Sequence, residues 1–246
     1  MNKNVLITGG SKGIGLELVK YFNAKNINTV SISRTKSKYT SDLNHEILFD
    51  LIDFENFDNI ESILTEHRIK NAITDIIFNL GDGKKFSDDK EIENNYYEMI
   101  NFISSKKLSE YFLENYKGIN TFTFINSICR FNSANCNEGY TKSKQKLFKY
   151  SKEIEVDAAS KHIRVNSLTL GDVLHKNSSW SKKFKNKEEE DSYLKKTKLN
   201  NKFVNTQDIC LTINLIIENN SLIGEEIILD CGHTKLLPDS PASVDD

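Results

Sequence analysis

Proline is almost missing from this chain: Pro238 and Pro241 are the only two, so no stiff proline turn occurs before the tail. Cysteine is scarce as well. Cys129, Cys136, Cys210 and Cys231 show no C-x-x-C spacing and no metal-type histidine pair, which argues against zinc and reads as four reduced thiols in a cytosolic protein. No apolar stretch approaches membrane-spanning length, and Val5-Leu6-Ile7 is too short for the apolar core of a signal peptide, so a cytoplasmic protein with no membrane partner is expected. Charge of one sign is lacking too. The 33 basic and 35 acidic residues leave a net charge of −2, which gives no overall field for attracting nucleic acid. There is no internal repeat or low-complexity tract, and 246 residues suffice for one domain with a substantial core, taken as 1–246.

What is present alternates between strand and helix. The apolar run from Lys3 to Thr8 reads as a strand covered on both faces, followed by Gly9-Gly-Ser-Lys-Gly13-Ile-Gly15 and a helix with Ile14, Leu16, Leu18, Val19 and Phe22. A glycine-rich strand-to-helix turn aims backbone N–H groups at an anion, here a pyrophosphate. Further strands are expected at 29–33, 45–49, 73–78, 122–126, 162–168 and 225–230, with helices at 54–66, at about 92–117, from 140 to about 160, and an apolar stretch at 206–218. The second strand ends in Arg34 rather than an acid, and Lys12 lies in the glycine loop. An acid at that strand end would bond a ribose hydroxyl, whereas arginine accommodates a 2′-phosphate, so NADP(H) is the expected cofactor.

Tyr140 and Lys144 lie four residues apart, hence on one helix face, and an adjacent ammonium favours a phenolate. Ser127 ends an apolar run thirteen residues earlier, where its hydroxyl would hold a substrate carbonyl beside the phenol. The T-G-x-x-x-G-x-G loop, Ser127 and the Y-x-x-x-K pair together resemble the short-chain dehydrogenase/reductase family over residues 3 to about 233. That resemblance implies a single doubly wound parallel α/β sheet, Rossmann-like, with helices on both faces. It also implies an NADP-dependent oxidoreductase with Asn101, Ser127, Tyr140 and Lys144 as catalytic residues. By the same resemblance Gly9, Ser11, Lys12, Gly13, Ile14, Gly15, Arg34, Asp50, Leu51, Asn79, Gly81, Gly171 and Val173, with Tyr140 and Lys144, would bind the cofactor. Asn79-Leu80-Gly81 stands where the family has Asn-Ala-Gly, and Leu80 is expected to narrow the cleft.

Leu170-Gly171 and His175 replace the family's Pro-Gly and threonine, so His175 is a candidate for bonding the nicotinamide carboxamide. Arg130 and Asn132, in the loop before Tyr140, are candidate substrate contacts. The resemblance places a substrate lid at about 175–202, where nine lysines flank Glu188 to Asp191 and where Trp180 and Phe184 would close on an anionic substrate; the same lysines also read as a solvated helix pair. From about 235 the tail is expected to be irregular. The implied reaction is hydride transfer to a ketone or aldehyde, on a 3-oxoacyl thioester presented by an acidic carrier or on a sugar-derived or phosphorylated ketone. The remaining reading is a non-catalytic NADP(H)-binding sensor or assembly subunit. The family's habit of pairing through two long helices makes a homodimer or homotetramer the expected assembly.

Overall fold

The computed structural model describes residues 3–53, 59–66, 73–131, 136–175, 178, 180 and 183–236. Phe57 of the expected helix 54–66, the candidate contact Asn132, Lys176, Lys182 and the tail beyond 236 lie outside the described residues. Seven strands form one parallel sheet: β1 (Asn4–Thr8), β2 (Asn28–Ser33), β3 (Asn44–Leu48), β4 (Asp75–Phe78), β5 (Thr121–Ser127), β6 (Arg164–Leu170) and β9 (Glu226–Leu229). Their order across the sheet is β3-β2-β1-β4-β5-β6-β9. A second sheet is the short parallel pair β7 (Val173–Leu174) and β8 (Val204–Asn205).

The strands are nearly continuous apolar runs because helices cover both faces. Successive residues of β1 serve opposite cores. Leu6 packs with Ile76, Phe78, Phe122 and Phe124, while Val5 and Ile7 pack with Leu18, Val19, Phe22, Ile209 and Ile213. The first core lies beneath α4 (Ser104–Asn115) and α5 (Glu138–Glu153), and the second beneath α1 (Gly13–Ala24) and α8 (Thr206–Glu218). Shorter helices complete the set: α2 (Ile60–Glu66), α3 (Lys90–Glu98), α6 (Glu155–Ser160) and α7 (Lys187–Thr197).

The long helix expected at 92–117 is three pieces, α3, one π-helical turn at Met99–Ile103, and α4. A π-turn inserts one extra residue, and such insertions concentrate at functional sites. Here it carries Asn101. The helix expected from 140 to 160 likewise divides into α5 and α6 at Ile154.

At the amino edge of the sheet, Arg164 donates to the carbonyls of Ile216, Ile217, Asn219 and Leu222, satisfying the carboxyl end of α8. Asp75 is also buried, with Thr74 donating to one carboxylate oxygen at 2.8 Å and, among the described residues, nothing bonded to the other. Burial raises its pKa from 3.8 to about 6. At about 1.4 kcal/mol per tenfold, keeping it ionised costs about 3 kcal/mol. The folded form therefore holds its proton more tightly than the unfolded chain, and stability falls as pH rises from about 4 through about 6. Asp75→Asn removes that cost. Its melting temperature at pH 7 is expected to rise by about 2–4 °C per kcal/mol recovered, and calorimetry across pH 4 to 7 would find the acid-range decline flattened. An unchanged pH slope would assign the decline to another group.

Candidate active site

The strand order reverses at β1, which pairs with both β2 and β4, and the carboxyl ends of these strands open a crevice. Gly9 and Gly13 hold φ of +73° and +58° in the turn that follows β1. A Cβ on Gly15 would stand 2.3 Å from the Gly9 carbonyl oxygen, so only glycine lets the helix start this close to the strand. Thr8 Oγ1 accepts from the N–H groups of Asn79 and Leu80, both at 2.9 Å, and Asn79 Nδ2 returns a bond to the Thr8 carbonyl at 3.0 Å. Leu80 Cδ1 lies 3.6 Å from the Cβ position of Gly9, so the enlarged side chain sits beside the glycine turn at an ordinary contact distance.

Side chains cap the amino ends of α3, α5, α7 and α8 through Asp89, Asn137, Asn186 and Asn205. Helix α1 has no side-chain cap and no acid in its first turn. Its free N–H groups, flanked by exposed Lys12 and by Ser11 and Ile14, form an anion cradle that suits a dinucleotide pyrophosphate. No acid follows β2. Exposed Arg34 instead neighbours the Tyr96 hydroxyl, whose ionised form it favours, and that hydroxyl donates to Asp82 Oδ2 at 3.3 Å. Beside the crevice, Asp50 accepts from the Ile52 N–H at 3.2 Å and Leu51 is packed into the core.

Ser127 closes β5, and its side chain neighbours the phenol of Tyr140 on α5, whose ionised form it favours. The Cys129 N–H donates to Ser127 Oγ at 3.2 Å and so fixes the serine from the other side. Lys144 is 4% exposed and donates to the Ile125 carbonyl at 3.1 Å, with its ammonium 6.0 Å from the Tyr140 ring centre. Burial lowers the Lys144 pKa to about 8. Burial also raises Tyr140, against the influence of Ser127 and with help from the Asp82 charge. The lowering of the phenol by Lys144 expected from sequence is outweighed here, because burial dominates and the ammonium is bonded to the Ile125 carbonyl.

Asn101 is fully buried. Its Nδ2 donates to the Asp82 carbonyl at 2.9 Å and its Oδ1 accepts from the Asp82 N–H at 3.0 Å, so its amide clasps the loop after β4. Gly81 fits between Asn101 and Lys144, 2.8 and 3.3 Å from its Cβ position. Sequence reading missed Asp82, although it directly follows the recognised Gly81.

After β6, a Cβ on Gly171 would meet the Asp230 backbone at 2.7 Å. Asp172 accepts from Lys198 at 2.6 Å and from Tyr193 at 2.7 Å, with His233 Nδ1 at 3.5 Å. Burial opposes its ionisation, but these partners bring its pKa down to about 2. Lys198 is therefore a buried structural cation rather than part of a solvated lysine surface. Val173 pairs with Val204 in the short sheet. His175 lies over the glycine turn, Cε1 3.5 Å from the Cβ position of Gly13, and burial lowers its pKa. A cavity of about 540 Å3 opens beside it, walled by Leu174, Trp180 and Phe184 and rimmed by Asn186, Lys187 and Glu190.

Two expectations are overturned. Arg130 does not face a substrate: its guanidinium pairs with Glu226 at 2.5 Å and lies between the rings of Phe131 and Phe148, 3.9 and 3.8 Å away. The partners are 96 residues apart, which hid the pairing. Nor are all four cysteines thiols. The turn Ile128–Phe131 and the approach to α5 bring Cys129 and Cys136 to a Cα separation of 5.8 Å, within disulfide range, and they are bonded. Cys210 and Cys231 remain free.

Among the described residues no group of three or more histidine, cysteine or acidic side chains could hold a metal, and no helix is long and apolar enough to cross a membrane. Among curated proteins nothing matches the chain. Among solved structures it is similar to a short chain dehydrogenase family protein from Francisella tularensis, at 24% identity and TM-score 0.81 over 95% of this chain and 99% of that one. It is also similar to a 4-hydroxyisoleucine dehydrogenase complexed with NADH, at 22% and 0.82 over 95% and 99%. An L-sorbose reductase from Gluconobacter frateurii, complexed with NADPH and L-sorbose, aligns at 17% and 0.80 over 96% and 98%. A family model described as short chain dehydrogenase matches residues 3–186. With that match over most of its length, the chain belongs to the short-chain dehydrogenase family.

Proposed function

We propose that the protein is an NADPH-dependent reductase of a ketone or aldehyde, with Tyr140 as the general acid. The observation that carries this reading is the grouping of Ser127, at the carboxyl end of β5, with Tyr140 and the buried Lys144 one helical turn further along α5. A bound nicotinamide would supply the hydride. Ser127 and Tyr140 would share the substrate oxygen between two donors and polarise the carbonyl, and Tyr140 would release its proton to the alkoxide. Lys144 would hold positive charge behind the phenol, and Asn101 would keep the loop at Gly81 and Asp82 in place.

The similar structures include both NADH and NADPH complexes, so the choice of cofactor rests on this chain's own residues. Arg34, Lys12 and the lack of an acid after β2 support a 2′-phosphate. For the substrate, Lys198 is bound to Asp172, Lys187 to Glu190 and Asp191, and Lys183 lies 3.9 Å over Trp180. These lysines are engaged within the protein, which weakens the case for a phosphorylated ketose. The aromatic walls of the cavity suit an acyl chain, as in a 3-oxoacyl thioester.

Arg34→Ala is expected to weaken NADPH binding about tenfold to a hundredfold, as for loss of a charge-assisted bond of about 1.5–3 kcal/mol. NADH affinity should stay put. Fluorescence titration of both nucleotides decides it, and an equal loss for both would refute the 2′-phosphate reading.

Tyr140→Phe should cut turnover by about a hundredfold to ten-thousandfold, the usual contribution of a general acid, with NADPH affinity intact. The assay is NADPH oxidation against a 3-oxoacyl thioester, a phosphorylated ketose and a simple hydrophobic ketone; full turnover by the variant would remove Tyr140 from the role of acid.

On pH, the raised phenol keeps its proton through neutrality, whereas Lys144 loses its own above about 8. Reduction measured as kcat/KM is thus expected to hold level below pH 8 and to decline above it. In Lys144→Met that decline should vanish along with most of the rate. A wild-type profile rising through pH 8 would contradict the assignment.

A further inference from the structure

Glu93 lies on α3, outside the set of residues the reaction needs, yet it is a buried acid, 7% exposed, with its carboxylate engaged by three donors. It accepts from Asn137 Nδ2 at 3.0 Å, from the Tyr97 hydroxyl at 3.1 Å and from the Phe86 N–H at 3.3 Å. Each partner leads to Tyr140. Asn137 is the amino cap of α5, and its Oδ1 accepts from the N–H groups of Gly139 and of Tyr140 itself, at 2.8 and 3.3 Å. The Tyr97 ring stands edge-on to the Tyr140 ring, centroids 6.1 Å apart, and its hydroxyl also reaches the Lys84 carbonyl at 3.0 Å. Phe86 and Lys84 belong to the loop whose Gly83 lies over the phenol, its Cβ position 3.4 Å from Tyr140 Cε2.

We propose that Glu93 is a positioning residue for the reaction: one carboxylate joins the cap of α5, the ring beside Tyr140 and the loop over Tyr140, and so sets the place and the burial of the phenol. The inference rests on Tyr140 being the general acid. Close packing at the same point supports it. A Cβ on Gly139 would come within 2.1 Å of Asn94 Oδ1, so α3 and α5 meet with no room for a side chain, and a shift of α3 moves the start of α5. Burial works against the Glu93 charge, but the bonds from Asn137, Phe86 and Tyr97 hold its carboxyl below the usual range, with Lys85 adding to the effect. It is an acceptor throughout the neutral range, as all three donors require. The charges facing the phenol itself come from elsewhere, Asp82 on the loop and Lys144 on α5.

The test uses two variants that break the same link from opposite ends. Glu93→Gln removes the charge at constant size, and Asn137→Ser keeps a capping hydroxyl for α5 but loses the amide that reaches Glu93. The first readout needs no substrate: the tyrosinate absorption of each protein is titrated against its own Tyr140→Phe partner, which isolates Tyr140. With the loop released, water reaches the phenol, and its titration is expected to move down toward that of a free phenol. The second readout is turnover. kcat should fall about tenfold to a hundredfold, the scale of an ångström's misplacement, with NADPH affinity unchanged, and the double variant should be no worse than either single one.

A folded Glu93→Gln and a folded Asn137→Ser that keep the wild-type Tyr140 titration and wild-type kcat would overturn the proposal. Fully additive losses would overturn it as well, since they would mean two unrelated structural roles. Should the wild-type protein reduce none of the carbonyls offered, the reductase reading fails by itself, and the titration still decides whether Glu93 sets the phenol's surroundings.

Discussion

Two hydrogen bonds between the side chain of Asn101 and the peptide of Asp82 fix the edge of the sheet on which the site is built. The amide mimics a strand partner, satisfying one N–H and one C=O that no ladder reaches. Because Asn101 sits on the π-turn between α3 and α4, the extra residue there lets the amide face the loop while both flanking helices stay in register. The loop in turn puts Gly81 against Lys144, Asp82 near Tyr96 and Tyr140, and Gly83 over the phenol ring. Loss of the clasp would strand the buried amide of Asn101 and loosen the loop, at a cost above that of one exposed hydrogen bond.

A second constraint stands across the crevice. The turn after β6 lacks the proline that the family uses to stiffen it, and Asp172 takes over that restraint. Its carboxylate binds Lys198 and Tyr193, with His233 alongside, so residues from α7, the segment after it and the turn after β9 are fastened to one side chain. A proline restrains the chain by covalent geometry, whereas this network does so through a buried ion pair that holds only while every partner is present. Helix α7 is therefore tied to the strand end after β6. Trp180, Phe184, Tyr193 and Phe203 pack their rings over the same junction, which keeps water from the pair.

How much of this was legible in the chain follows from the range of each interaction. The strands were legible because their apolar runs are local, and the glycine turn because steric need leaves its mark on consecutive residues. Ser127, Tyr140 and Lys144 were legible through a short spacing. Arg130 was misread, since Glu226 lies 96 residues away and nothing near Arg130 announces it. The Cys129–Cys136 bond follows from how the chain returns between β5 and α5, which seven residues of spacing do not reveal. Lys198 looked like one of nine surface lysines because composition cannot say which of them meets Asp172. The break at Asn101 was hidden for a different reason: helical periodicity runs through a π-turn with a slip of one residue, and the apolar pattern on either side still reads as one helix.

Burial sets the protonation of the site, and it acts in opposite senses on its two titrating groups. Taken out of water, the phenol of Tyr140 resists losing a proton and the ammonium of Lys144 resists keeping one. Asp82 adds to the first effect and so deepens the preference for a neutral phenol. An alkoxide formed at the carbonyl needs a proton donor beside it, while the reverse reaction needs a phenolate ready to accept one. At neutral pH the free protein presents the donor. The Ser127 hydroxyl accepts from the Cys129 N–H and stands next to the phenol. The resting site thus presents a protonated phenol, and that preference comes first from the packing around Tyr140, with the Asp82 charge adding to it.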